Sequence, residues 1–293
     1  MSPGGVPLKS GFVAIAGRPN VGKSTIVNAL CGGKVAIVSN KPQTTRRRIF
    51  GVVNGDDYQL VLVDVPGFQR PLDPLTERMQ RTVSNSFEDA DAVMFVLSAQ
   101  ERIGAGDRFI AKAVFALGVP VVIVLNKVDQ QKPGHIAAQM KTAAELGNFH
   151  ALHPISAKTG DGVGELRDEL LGLLPEGVAH FPRDVITDLP LELRLAELVR
   201  EKALALTRDE VPHSLSVEVE EMTERVIRAR IMVETESQKQ ILVGRAGRMV
   251  KEIGVKARPE VEQLVGHRVF LDLKVKVEPR WRRDQATLER LGI

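Results

Sequence analysis

The sequence predicts an α/β domain with a mixed, mostly parallel sheet flanked by helices, followed by a smaller α+β domain. Three observations carry this. Gly17-Arg18-Pro19-Asn20-Val21-Gly22-Lys23-Ser24-Thr25 reads G-x-x-x-x-G-K-[ST], a phosphate-binding loop, between an apolar run and a helical stretch. Further apolar runs of strand length follow as far as Ile155, several ending in polar residues, as buried parallel strands do. Beyond Pro190 the strand-like segments alternate apolar and polar residues with period two, the mark of half-buried antiparallel strands.

The bulk properties set limits. A chain of 293 residues with 43% apolar and 26% charged residues suits two soluble domains. No apolar run approaches the roughly 20 residues of a membrane span. Met1 to Ser10 lacks the apolar core of a secretory signal and reads as an N-terminal tail. The single cysteine, Cys31, excludes an internal disulfide framework and fits a small core residue in a reducing compartment. Net charge is +3, but from Arg245 onward there are 12 Lys and Arg against 7 Asp and Glu. Polyanion contact is therefore expected in the C-terminal part.

In the first domain, 11–174, Phe12 to Ala16 forms the strand before the phosphate loop and Ile26 to Leu30 continues the helix after it. Backbone N–H groups and the helix N-terminus then face a polyphosphate. Lys23 is placed for the β- and γ-phosphates, and the Ser24 hydroxyl for Mg²⁺. Pro42 to Arg48 is an aperiodic loop whose Thr45, preferred over Thr44, completes the Mg²⁺ shell. Arg46, Arg47 and Arg48 read as solvated or RNA-facing. Ile49 to Asn54 and Tyr58 to Val63 form a hairpin around Asn54-Gly55-Asp56-Asp57. It ends in Asp64-Val65-Pro66-Gly67. Asp64 holds Mg²⁺ through water, and Gly67 has no side chain to keep its N–H from a γ-phosphate.

Base selection falls to Asn126-Lys127-Val128-Asp129 after the run Pro120 to Leu125. The Asp129 carboxylate accepts from the ring N–H and exocyclic amine of guanine, and adenine offers an acceptor at that ring nitrogen. Asn126 braces the loop and the Lys127 stem lies along the base. In Ser156-Ala157-Lys158 the Ala157 N–H is placed for the guanine O6.

These motifs, in this order, resemble translation-factor-related GTPases. The resemblance makes Lys23, Thr45 and Gly67 the catalytic set, with GTP/GDP and Mg²⁺ as cofactors. Many such proteins carry a water-orienting glutamine where this chain has Phe68, so slow unassisted turnover is expected. In related proteins the loop asparagine, here Asn20, can help bind K⁺ beside the phosphates.

Val163, Leu166, Leu170 and Leu173 mark a helix within Asp161 to Leu174, and the aperiodic 175–190 reads as a linker. The second domain, 191–279, reads helix (Leu191 to Leu206), two strands (Leu215 to Glu221 and Val226 to Glu234), short helix (Ser237 to Val243), Gly244-Arg245-Ala246-Gly247, long helix (Arg248 to Val265) and strand (Val269 to Val277). Val211 to Ser214 leads into the first of these strands. A G-x-x-G loop between helices lets a nucleic-acid backbone approach closely. This order resembles a type II KH domain. Ile241, Gly244, Arg245, Ala246, Gly247, Arg248 and Lys251 are the RNA-binding candidates, with Val243, Ile253 and Val255 as further candidates for an aliphatic floor. Trp281, in a basic tail at 280–293, either stacks on a base or packs on its own domain.

From about Gly11 to Ile293 the chain resembles the Era family of GTPases, including Pro42 to Arg46, Pro212-His213-Ser214 and the closing Leu288 to Gly292. The resemblance implies a P-loop GTPase domain plus a KH domain. It implies binding to the 3′ end region of small-subunit ribosomal RNA, assistance in 30S subunit maturation, and RNA affinity controlled by the nucleotide. A cytoplasmic monomer is expected, and peripheral membrane association at the inner face of the membrane is reported for such proteins. The rival readings are an RNA-binding or RNA-chaperone protein with an uncoupled, structural nucleotide, a P-loop kinase or ATPase, and a transfer-RNA-modifying GTPase.

Overall fold

The computed structural model describes residues 8–41, 43–68 and 71–293. The contacts divide the chain into two compact units. The first runs to Asp188, and the second comprises Leu189–Ile293 with the short segments Ser39–Thr44 and Leu72–Glu77.

The first unit carries β1 (Leu8–Ala16), α1 (Lys23–Cys31), β2 (Ile49–Asn54), β3 (Tyr58–Asp64), α2 (Pro74–Asn85, its first turn grouped with the second unit), β4 (Ala92–Ser98), α3 (Ala105–Phe115), β5 (Val121–Asn126), α4 (Pro133–Ala144), β6 (Ala151–Pro154), α5 (Val163–Gly172) and β7 (Glu176–Gly177). The sheet order is β2-β3-β1-β4-β5-β6, with β7 added antiparallel to β1. Strands β3, β1, β4, β5 and β6 run parallel, and β2 pairs antiparallel with β3 as a hairpin. Every residue of β4 and β5 is buried, which is why these runs are apolar without alternation. Parallel pairing brings the carboxyl ends of β1, β3, β5 and β6 to one edge, where open α/β sheets bind ligands. Cys31 is a partly buried free thiol, and burial pushes its pKa up to about 12, which disfavours the reactive thiolate.

Two sequence expectations change here. Met1 to Pro7 of the expected tail lie outside the described residues, but Leu8 to Ser10 open β1. The stretch read as a linker, 175–190, is largely ordered on the first unit. Beyond β7, the Gln59 amide donates to the Phe181 carbonyl (2.8 Å) and its oxygen accepts from the N–H groups of His180 and Phe181. Asn54 donates to the Val185 carbonyl, the Phe50 N–H to Asp188, and Thr187 bridges to Gly51. These partners lie more than 100 residues away, so the segment has no local periodicity to read.

The second unit carries α6 (Leu191–Leu206), α7 (Val211–Ser214), β8 (Ser216–Met222), β9 (Val226–Val233), α8 (Glu236–Val243), α9 (Arg248–Val265), β10 (Phe270–Val277) and α10 (Gln285–Arg290). Its three strands are ordered β10-β9-β8, with β9 antiparallel to β8 and parallel to β10. Ala196, Val199 and Ala203 of α6, Leu242 of α8, and Ile253 and Ala257 of α9 close a core with the sheet. Val211 to Ser214 is a helical turn rather than the lead into a strand. Thr235 and Gln238 cap α8 reciprocally, each side chain taking up a backbone N–H of the other.

The expected tail is folded too. A short turn, Trp281–Arg283, precedes α10, and Trp281 is fully buried with its indole N–H donating to the Ser214 carbonyl at 2.7 Å. It packs on its own domain and cannot stack on a base. Trp281→Phe leaves that carbonyl without its donor and should cost about 2 kcal/mol of stability. Guanidinium unfolding should show a lower midpoint for the second unit, and an unchanged midpoint would remove the anchor.

Candidate nucleotide and nucleic-acid sites

The phosphate loop leaves β1 at Ala16 and enters α1 at Lys23. Asn20 and Gly22 take positive φ (65° and 102°), which turns the chain tightly there. A side chain at Gly22 is barred twice, by φ and because a Cβ would lie 2.2 Å from the Asn126 amide nitrogen. No acidic residue of α1 itself lies in its first turn; the carboxylate at that end is Asp64, bonded to Ser24. The Lys23 ammonium is buried and donates to the carbonyls of Gly17 (3.2 Å) and Arg18 (3.1 Å). Burial lowers it to about 8, against the pull of Asp64.

Ser24, Thr45 and Asp64 converge. The Ser24 hydroxyl donates to Asp64 Oδ2 at 2.8 Å and lies 3.1 Å from Thr45 Oγ1. Thr44 instead donates to the Lys41 carbonyl at 2.7 Å, so Thr45 is the threonine of this cluster. Asp64 is wholly buried and its Oδ1 has no hydrogen-bond partner. Burial raises its pKa, opposed by Lys23. Two hydroxyls beside a buried carboxylate with an orphaned oxygen form a hard-oxygen donor set, which fits Mg²⁺.

After β3, a Cβ at Gly67 would lie 2.9 Å from Pro19, so this loop rests against the phosphate loop. Phe68 turns away and stacks on Phe87 at 5.8 Å. Arg46 is buried rather than solvated, and Arg48 lies over the Phe50 ring.

At the base loop, Asn126 donates through Nδ2 to the Val21 carbonyl at 3.0 Å, and Lys127 donates to the Asn20 carbonyl at 2.7 Å. Asp129 is exposed, and one of its oxygens accepts from the Ser156 hydroxyl at 2.8 Å. The Ala157 N–H donates to Asn126 Oδ1 at 3.1 Å, so it braces the loop in this structure rather than standing open for a base. Lys158 and Thr25 border the site without a hydrogen bond into it among the described contacts.

In the second unit, α8 ends at Gly244 and α9 begins after Gly247. Gly244 has φ of 68° and a Cβ there would meet Met249 at 2.8 Å. Ala246 also takes positive φ. Arg245, Ala246, Arg248 and Lys251 are exposed around this turn, and Ile241 stands beside it at 45% exposure. Of the aliphatic candidates, Val255 is exposed, Val243 is partly covered, and Ile253 belongs to the core. A cavity of about 300 Å³ lies between α9 and β10, lined by Val250, Lys251, Val255, Arg258, Phe270 and Leu273 among others. Phe270, 63% exposed, is a candidate that sequence reasoning missed. Its signal was present: it opens a strand whose alternate positions are Asp272, Lys274 and Lys276, so an aromatic stands in a polar row.

Comparison with known proteins agrees with both halves. Residues 12–127 match the family described as "50S ribosome-binding GTPase" and residues 210–282 the KH domain. The chain is 45% identical over 289 residues to a GTPase Era of Lactobacillus delbrueckii subsp. bulgaricus, covering 97% of this chain and 96% of that protein. It is 44% identical over 295 residues to that of Thermotoga maritima, covering 98% of each. A crystal structure of Era with MgGDPNP and nucleotides 1506–1542 of 16S ribosomal RNA superposes with a TM-score of 0.94 at 40% identity, covering 97% of this chain and 99% of that one. A variant of Aquifex aeolicus Era bound to a GDP–aluminium fluoride complex gives 0.91 at 41% identity, with the same coverage. A GTPase unit followed in sequence by a KH unit, with relatives at 44–45% identity over nearly the whole chain, makes the family plain: the chain belongs to the Era family of GTPases.

Proposed function

We propose that this GTPase is a nucleotide-controlled RNA-binding protein that engages the 3′ region of small-subunit ribosomal RNA through its KH unit and assists 30S maturation. One observation carries the control. Thr45 stands with Ser24 and Asp64 in the first unit, while its chain neighbour Thr44 belongs to the second, where Arg200 donates to the Thr44 carbonyl. In this reading a change at Thr45 passes along the chain to Thr44. The description of the matched GTPase family names the 50S subunit. The relative bound to 16S RNA shares both units over 97% of this chain, and the proposal follows it.

In this reading Gly17 to Thr25 wraps the phosphates, and Lys23 exchanges its loop carbonyls for β- and γ-phosphate oxygens. Ser24 and Thr45 would hold Mg²⁺, with Asp64 acting through water, and the bound ion would supply charge neutralisation for the phosphates. Gly67 brings its N–H to the γ-phosphate, and Asn20 contributes to a K⁺ site beside it. Asn126, Lys127, Asp129, Ser156, Ala157 and Lys158 hold the guanine side. Loss of the γ-phosphate releases Thr45 and the Gly67 loop, the bistable elements. Phe68 polarises no water, so basal turnover is slow. RNA lies on the Gly244 to Gly247 turn, where Arg245, Arg248 and Lys251 meet phosphates and Ile241 borders the bases. The protein works as a cytoplasmic monomer. No described helix is long and apolar enough to cross a membrane. Exposed Arg280 and Arg283 leave only a peripheral route to an anionic surface.

Asp129→Asn replaces one of the two acceptor oxygens with an N–H donor and should weaken GDP binding at least about 100-fold, since one guanine donor then faces another donor. Xanthosine diphosphate, which carries a carbonyl in place of the amine, should bind the variant better than GDP does. Calorimetric titration with both nucleotides checks this, and unchanged GDP affinity would discard the base-site assignment. For the switch, the 3′-end RNA should bind tightly with a non-hydrolysable GTP analogue and weakly with GDP. Gly247→Asp and Asp129→Ala should each abolish the tight state in a filter-binding assay. Binding that ignores the nucleotide and survives Asp129→Ala would leave an RNA-binding protein with an uncoupled GTPase.

A further inference from the structure

An arginine inside a phosphate loop is chemically suited to grip phosphate, because its planar fork matches two anionic oxygens. Arg18 does something else. Its Nε–H donates to Asp107 Oδ1 at 2.8 Å, and Nη2 donates to Glu101 Oε2 at 2.7 Å. Asp107 sits in the first turn of α3 and is 2% exposed, while Glu101 lies on the loop before that helix. The helix surface is shaped for the arginine stem, since a Cβ at Gly106 would lie 3.1 Å from Arg18 Cδ. Asp107 is itself fixed, its other oxygen accepting the Gly104 N–H at 2.9 Å.

We propose that Asp107 and Glu101 are positioning residues for the nucleotide: they hold the Arg18 side chain against α3 and so fix the Arg18 carbonyl on which Lys23 rests. The inference depends on reading Gly17 to Thr25 as the phosphate loop. Lys23 donates to that carbonyl at 3.1 Å. The loop is then pinned on two sides, by Arg18 to α3 and by Asn20 and Val21 to Lys127 and Asn126 of the base loop. Glu101 serves both sides, because it also faces Lys127 and favours that ammonium against its burial. Charge makes the arrangement directional. Without Arg18, buried Asp107 would face incoming phosphates with no cation beside it, and Glu101 would keep only Lys127.

The test measures GDP affinity by calorimetry together with the rise in melting temperature that GDP produces, for the full chain. Arg18→Gln should weaken GDP about tenfold and shrink the GDP-induced rise, while the nucleotide-free melting temperature stays within a few degrees of the parent. Adding Asp107→Asn to Arg18→Gln should cost nothing further or restore part of the loss, because the uncompensated carboxylate is removed. Glu101→Gln, on an exposed residue, should weaken GDP in the same direction and leaves the Asp107 cap of α3 intact, so the test survives if Asp107→Asn fails to fold. Arg18→Gln within twofold of the parent, or independent additive losses in the double variant, would overturn the inference. Lys23→Ala separates the two levels. If it binds GDP like the parent, the phosphate-loop reading fails and this inference with it. If it loses GDP while Arg18→Gln does not, the inference alone fails.

Discussion

The side-chain amide of Asn126 ties together three loops that lie far apart in sequence. It is 2% exposed. Its nitrogen donates to the Val21 carbonyl, its oxygen accepts from the Ala157 N–H, and the nitrogen fills the space that a side chain at Gly22 would need. Both ends are satisfied in a buried setting, where an unmade hydrogen bond is costly. The phosphate loop, the base loop and the loop after β6 are therefore held at fixed spacing. A ligand with an anionic end and a planar end meets both halves of the site already in register. Lys127 on Asn20 and Ser156 on Asp129 extend the same tie outward.

Much of this was legible because the chemistry is local. A phosphate loop needs its glycines, lysine and hydroxyl in consecutive places, and the base loop needs its carboxylate at a strand end. The buried, parallel character of β4 and β5 also followed, since both are apolar throughout and so must be covered on both faces. Thr45 against Thr44 was a closer choice; in this structure it is the Thr45 hydroxyl that reaches Ser24, while Thr44 bonds the Lys41 carbonyl. What stayed hidden depends on distant partners. Arg18 reads only as one position of the phosphate loop, and its guanidinium's partner Asp107 lies 89 residues on. Residues 176–188 read as a connector because Gln59 and Asn54, which hold part of the segment, lie in the β2–β3 hairpin. Ala157 reads as a base donor until Asn126 is seen to accept its N–H.

The KH half shows the same division. The order of elements and the glycines flanking Ala246 were visible, whereas the groove was not. Phe270 lines the cavity between α9 and β10 although the strand pattern marks that row as polar, and Ile253, proposed for the groove's floor, is core. The basic residues near the end of the chain invited a nucleic-acid role for Trp281. Burial decides otherwise, because an indole whose N–H is satisfied by Ser214 has no face to offer.

That burial has a spectroscopic consequence. Trp281 is the only tryptophan of the chain and Tyr58 the only tyrosine, one in each unit. Indole emission selected by long-wavelength excitation thus reports on the second unit alone, shifting to the red when that core opens to water. Phenol absorbance follows the first. Each half of the molecule carries its own optical label, so the two could be watched coming apart in one cuvette without attaching a dye.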